Sequence, residues 1–350
     1  MVKKCEGGKQ MMRTRSLRLF CAVAASAYVL LSGSIPAQSQ DQKARIALPT
    51  TSIGFAYAYV AEALGFWKDQ GLDVTVSTIT GLNATNALLA GNVEFSGGSG
   101  GTLLLAVSRG QKLVSIANLH NRLLVELVLG NEAIARTGLS ENSSVADRAK
   151  ALKGMTIAID FVNSIIHGYL KYVLLSVGLD PERDVTVSPI SPIGMMPALQ
   201  SKRVDGYVMV PPWTSAVVPK QAGKVWVSAV RGDLPELMPF AFDLVLARQG
   251  YCDQNRTICE KFGAGINRAF AFIRNQPEKT LAVLRERFKD MDPELLNLAF
   301  EVDRAILPEK PLMTTKAMEI AQDFNIKTGL MKPEDKIAPL GPLYTNDFVN

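Results

Sequence analysis

The sequence predicts an α/β protein made of two lobes, on three observations. Short runs rich in Val, Ile and Leu alternate with helical stretches, the pattern of parallel strands with both faces covered. About 310 residues remain once an N-terminal leader is set aside, more than one core usually serves. No low-complexity linker or repeat divides them.

The leader is residues 1–39. Arg13, Arg15 and Arg18 precede an apolar run from Leu19 to Leu31, followed by Ser, Gly and Pro, the order of a secretory signal peptide. That run is shorter than the roughly 20 residues a membrane-spanning helix needs. Ala37 and Ser39 fit an A-x-S cleavage site after Ser39, with cleavage after Ala37 as the rival and Met11 or Met12 as alternative starts. Cys21 opens the apolar run instead of following it, so release as a soluble protein is expected rather than a lipid anchor. Six of the 38 basic and one of the 33 acidic side chains lie in residues 1–39, leaving 32 of each. The basic balance therefore belongs to the leader and gives no support for a nucleic-acid partner, which needs a clustered basic face.

Cys252 and Cys259 remain after the leader, and an exported chain meets an oxidising environment. Seven residues of continuous helix would hold their Cα atoms about 10 Å apart, beyond disulfide reach. A bridge forms only if Cys252 lies before the helix and folds back; two separate thiols are the alternative. No metal-ligand spacing is present, and no cofactor motif calls for a bound group.

In chain order, Arg45 to Pro49 is a strand, Tyr57 to Gln70 a helix, Asp73 to Ile79 a strand, Ala84 to Ala90 a helix, Val93 to Gly97 a strand, Thr102 to Arg109 a helix and Leu113 to Asn118 a strand. A second set follows from Leu123, with strands at Val125 to Leu129, Met155 to Asp160, Val185 to Pro189, Gly206 to Val210 and Val225 to Ser228, and helices at Ser164 to Val177 and Gly194 to Ser201. After a strand at Ala241 to Ala247 the pattern turns helical: Asp253 to Asn275, Pro277 to Phe288, Pro293 to Ile306 and Thr314 to Thr328. Pro277 and Pro293 suit helix starts, where a missing N–H costs nothing. The order suggests one lobe interrupted by the other, with residues 43–125 and 240–350 in lobe I, residues 126–239 in lobe II, and two crossings forming a hinge.

Ligands of open α/β sheets settle beyond the carboxyl ends of the strands, where helix N-termini present free N–H groups. The first strand ends in the hydroxyl-rich loop Thr50 to Tyr57. The third ends in Ser96 to Thr102, whose four glycines let backbone approach a ligand, without the lysine of a phosphate loop. In the second lobe Asp160 to His167 holds the corresponding place, with Ser164 set to cap a helix. Ser and Thr at these positions cap helices, donate to a ligand, or both. Trp213, after Val210-Pro211-Pro212, is either core or an apolar wall for a ligand; Phe55, Tyr57 and Phe161 are further aromatic side chains near the expected cleft. An exported enzyme using Asp160 and His167 is the competing function, but no nucleophile elbow, metal set or cofactor motif accompanies the pair.

Gly54 to Val76, with Tyr59-Val60-Ala61 and Gly65 to Val74, resembles the "YVA…GFFKKEGLDV" segment of periplasmic binding proteins for nitrate, sulfonates, taurine and thiamine-pyrimidine precursors. Ala87 to Phe95 is similar to their "ALxxGxxDxx" segment, Leu152 to Ala158 to "LKGKxVAV", and Leu199 to Gly206 to "LxxGxVDA". The resemblance implies a type II periplasmic binding protein, non-enzymatic and monomeric, delivering a small solute to a membrane permease and its ATPase subunit; a receptor for a membrane signalling protein is the variant. By that resemblance the contacts are Thr51, Ser52, Tyr57, Ser99, Asn118, Ser164 and Trp213. Asp160 joins them as a departure: it stands where many relatives place a small hydroxyl residue, and a carboxylate there disfavours a bare sulfonate or nitrate.

Overall fold

In the computed structural model, which describes residues 42–350, two five-stranded sheets share the chain. The expected leader lies outside the described residues. β1 (Gln42–Leu48), β2 (Leu72–Thr78), β3 (Phe95–Ser99) and β4 (Leu113–Asn118) begin the first sheet. β5 (Glu126–Gly130), β6 (Thr156–Ile159), β7 (Thr186–Pro189), β8 (Gly206–Met209) and β9 (Gly223–Ser228) form the second, and β10 (Asp243–Arg248) returns to the first. The strand orders are β2-β1-β3-β10-β4 and β7-β6-β8-β5-β9.

The expectation of purely parallel sheets needs correcting. β10 runs antiparallel to β3 and β4, and β5 runs antiparallel to β8 and β9. The crossings explain why. The chain leaves the carboxyl end of β4 and enters β5 at the carboxyl edge of the second sheet; it leaves the carboxyl end of β9 and enters β10 at the carboxyl edge of the first. A strand entered from that edge must run against its neighbours. The same connectivity makes the two carboxyl edges face each other across the crossings.

Those crossings pair with one another. Leu119 N–H donates to the Asp243 carbonyl at 2.7 Å and Phe240 N–H to the Asn121 carbonyl at 2.8 Å. The hinge is thus a short two-stranded ladder.

Side chains alternate across each sheet with the period of two that a pleated strand imposes. In β10, Leu244 and Leu246 face one core while Val245 and Ala247 face another. In the second sheet Ile157 and Ile159 of β6 face the core that Leu244 and Leu246 share, and Ala158 the opposite side. One hydrophobic core therefore runs continuously from the first sheet to the second.

The helices cover these faces. α1 (Ala56–Ala63), α2 (Leu82–Leu89) and α3 (Gly100–Ser108) follow strands of the first sheet; α4 (Asn131–Thr137), α5 (Val145–Lys150), α6 (Ile165–Ser176) and α7 (Pro192–Gln200) belong with the second. α8 (Tyr251–Gln254), α9 (Arg256–Asn275), α10 (Pro277–Arg287), α11 (Pro293–Ile306) and α12 (Thr315–Lys327) close the chain. α1 and α9 bury the aromatic side of the first sheet, where Phe95 stacks on Phe262 with centroids 3.9 Å apart. α12 packs on α3 and on α6.

The helix expected over Tyr57 to Gln70 breaks after Ala63. Gly65 adopts φ 69°, a left-handed conformation that ends helices, and Lys68–Gln70 is a separate 3-10 turn. A comparable break decides the cysteines. Cys252 sits in α8, the chain kinks at Asn255, and Cys259 lies in α9. The kink brings their Cα atoms to 5.7 Å and the disulfide is closed.

Candidate functional site

The loops that end β1, β3, β4, β6 and β8 gather on the facing edges, and their polar side chains are organised first by capping. Ser52 caps the 3-10 turn Ile53–Phe55, accepting from Gly54 N–H at 3.3 Å. Thr51, exposed, lies 3.3 Å from Thr78 Oγ1 at the end of β2. Ser99 caps α3 through Thr102 N–H at 3.1 Å. Ser164 caps α6, accepting from His167 N–H at 3.0 Å while its own hydroxyl donates to Asp160 Oδ1. Asp160 Oδ1 also accepts from Phe161 N–H at 2.7 Å. Burial pushes the Asp160 carboxyl above its ordinary range, against these hydrogen bonds.

Two expected residues sit differently from a simple cleft lining. Tyr57 buries its ring in the lobe core near Phe270, because the first turn of α1 faces the sheet, and Phe55 is buried with it against Gly97. Neither offers an aromatic wall; what Tyr57 leaves is a buried hydroxyl without a partner. Asn118, 1% exposed, has neither side-chain atom hydrogen-bonded. Trp213 is half-buried and lines a cavity of about 200 Å³ with Pro192, Ile193, Met196, Lys220 and Leu295. Phe161 remains 62% exposed.

The Asp160 and His167 pair expected for an enzyme is not assembled as acid and base. His167 is buried, and its Nδ1 accepts from Asn163 N–H at 3.1 Å. Burial, with Lys171 nearby, lowers its pKa. These contacts make it part of the loop that presents Asp160.

Sequence reasoning missed three acidic residues. Asp243 opens β10 in register with Ser99 of β3, and Glu126 opens β5 in register with Ser228 of β9. Glu126 is buried and accepts from Thr214 Oγ1 at 2.5 Å and Ser228 Oγ at 2.7 Å. His120, on the first crossing, lies between Asp243 (3.2 Å from Nδ1) and Asp303 of α11 (3.0 Å from Nε2). Both contacts are in ion-pair range without hydrogen-bond alignment. Burial opposes the imidazolium, but Asp303 and Asp243 together outweigh it and raise its pKa from 6.5 to about 10. Burial also raises the Asp303 carboxyl, against the pull of His120. The signal for Asp243 and Glu126 was their place as first residues of strands; it is visible only when those strands are known to run antiparallel.

Among the described residues, no group of three or more His, Cys, Asp or Glu side chains is arranged to hold a metal ion. What the edges offer is hydroxyls, helix N–H groups, carboxylates and apolar surface around a hinge, an arrangement for enclosing a molecule.

Residues 40–285 match the model of the NMT1-like family. The chain belongs to that family. This NMT1-like protein is 25% identical over 326 residues to the putative binding protein YtlA of Bacillus subtilis (strain 168), covering 90% of this chain and 92% of that one. Its fold is similar to that of the alkanesulfonate-binding protein SsuA from Xanthomonas axonopodis pv. citri bound to MOPS, with TM-score 0.65, 17% identity, 88% of this chain and 99% of the other covered. It is similar also to the periplasmic nitrate-binding protein NrtA from Synechocystis PCC 6803, with TM-score 0.65, 14% identity and 88% and 87% coverage. The two-sheet α/β architecture of the NMT1-like chain is thus the periplasmic binding protein fold.

Proposed function

We propose that this protein is the solute-binding component of an ATP-binding-cassette importer, located in the periplasm, which holds a small organic solute between its two lobes and delivers it to a membrane permease. The observation that carries the proposal is the opposition of two carboxyl edges across a paired double crossing. Such a hinge lets a ligand that touches both edges favour the closed arrangement over the open one, and a permease can recognise the closed form. Family membership and the similarity to SsuA and NrtA support the same role. Lobe I comprises residues 43–125 and 240–350 and lobe II residues 126–239, with Thr51, Ser52, Ser99, Asn118, Asp160, Ser164 and Trp213 at or near the ligand. The protein acts as a monomer without chemistry of its own.

A thermal-shift screen of organic solutes, covering sulfonates, aromatic carboxylates, pyrimidines and flavins, together with mass spectrometry of gently purified protein, tests the proposal. At least one saturable stabilisation is expected, since a ligand at about a hundred times its Kd adds about 2.7 kcal/mol. No stabilisation by any solute, with no trapped ligand, would overturn it.

A further inference from the structure

We infer that the solute carries a hydrogen-bond-donating head group, an amine or an amide rather than an oxyanion, set toward the crossings, with an apolar body toward the mouth of the cleft. This rests on the solute-binding role proposed above.

The charge pattern along the two edges is the first observation. The residues at the first carboxyl edge, in strand order, are Thr78, Leu48, Ser99, Asp243 and Asn118. Across the cleft stand Pro189, Asp160, Met209, Glu126 and Ser228. Both edges carry carboxylates, and neither row contains a lysine or arginine. Most of the basic groups nearby are engaged, although Arg122 on the first crossing keeps a buried Nε without a hydrogen-bond partner. His120 lies between two carboxylates, Arg231 and Arg148 share Asp233, and Arg122 donates to the Val230 carbonyl at 3.3 Å. Arg287 reaches Thr78 at the far end of the row, and Lys220 is exposed at the rim of the Trp213 cavity. An oxyanion drawn in among Asp160, Asp243 and Glu126 would meet like charge in a partly desolvated space.

A second, independent observation places the head group. Buried polar atoms in folded proteins are almost always paired, yet both side-chain atoms of Asn118 and the Tyr57 hydroxyl have no partner. They lie beside Asp243. Asn118 pairs in register with Leu244, the next residue along. Tyr57 is on the helix whose leading loop brings Gly54 against the Asp243 carboxylate, so closely that a Cβ at Gly54 would stand 2.8 Å from Oδ2. Asp243 keeps 16% of its side chain exposed. An amide that can donate and accept, a hydroxyl and a partly open carboxylate together match a head group rich in N–H donors.

The orientation follows from the strand orders. The crossing strands lie at one end of each sheet, so β2 and β7 mark the mouth. Exposed apolar side chains collect on that side: Leu82 after β2, Phe161 and Val162 after β6, and Ile193 after β7, each more than half exposed (53–75%). An apolar body lying there would cover them, as the lining of small-molecule clefts commonly does.

Two matched series test the inference by thermal shift and calorimetric titration: benzylamine, benzamide, benzoate and benzenesulfonate, and hexylamine, hexanamide, hexanoate and hexanesulfonate. The amine or amide members are expected to bind and the anions not. Asp243→Asn, which keeps a side-chain oxygen toward His120, should weaken amine binding about tenfold, the loss of a charge-assisted contact. Asn118→Leu should weaken binding by a similar factor while leaving the ligand-free melting temperature unchanged or higher, because it removes unpaired buried polar atoms; a purely structural Asn118 would lower it. Binding of the anions without the amines and amides overturns the inference and leaves the solute-binding role standing. Failure of every solute of any charge, in these series and in the broader screen, overturns that role itself.

Discussion

His120 shows how one side chain can hold a hinge. It is 1% exposed and joins Asp243 at the end of the second crossing to Asp303 on α11 while lying on the first crossing itself. Its raised pKa means that folding favours the protonated ring. The associated stability is therefore fully present below the unfolded value of about 6.5 and is lost as pH rises through about 10. The melting temperature should accordingly fall between pH 7 and pH 10. His120→Gln should remove that dependence and cost about 3 kcal/mol or more at pH 7, since the buried Asp303 and the partly buried Asp243 then lose their counter-charge. Urea unfolding of both proteins across this pH range checks the prediction; a wild-type curve flat from pH 7 to pH 10 would mean that the ring is neutral.

Among the elements, α11 touches loops belonging to both sheets. It packs on the Ile53–Phe55 turn of one lobe and on the Ser215–Val217 turn of the other, and its Leu295 lines the Trp213 cavity. Asp292 starts it, with Oδ1 accepting from Glu294 N–H at 2.8 Å and Leu295 N–H at 3.3 Å. Asp292→Ala should cost about 1 kcal/mol by loss of the cap, seen as a fall in melting temperature of about 2 °C. The same helix was legible in the sequence, from Pro293 to Ile306, because Pro293 and a 3.6-residue apolar period mark it plainly. So were the strand β4 and the four long C-terminal helices. α4 and α5 were not: they are short, and their exposed, polar faces give little periodicity. Nor was the direction of β5 and β10, which depends on which edge the chain enters after a crossing and not on anything local to either strand. That single non-local fact hid Asp243 and Glu126, while Ser52, Ser99 and Ser164, whose roles begin with local capping, could be read directly. Tyr57, read from the sequence as one of the aromatic groups near the cleft, has its ring in the core beside Phe270 and only its hydroxyl left unpaired, since aromatic character alone does not distinguish a ligand wall from a core.

At the scale of the whole molecule, the lobes share more than their crossings. One core runs from the first sheet through α12 to the second, and Phe324 of α12 is its meeting point. Its ring stacks on Tyr172 of α6 at 5.5 Å and meets Phe240 of the second crossing edge-on at 5.4 Å. Gly168 of α6 permits this approach: a Cβ there would come within 3.3 Å of the Phe324 ring and 2.7 Å of Leu330. Lobes coupled through such a core should unfold together, so calorimetry of the wild type is expected to give one transition with equal calorimetric and van't Hoff enthalpies. Phe324→Ala removes packing from the second lobe and the crossing at once. It should cost about 3 kcal/mol or more, and the van't Hoff enthalpy should drop below the calorimetric value as the lobes begin to melt separately. A transition that moves to lower temperature with the two enthalpies still equal would show that the crossings alone couple the lobes, with α12 adding stability but no cooperativity.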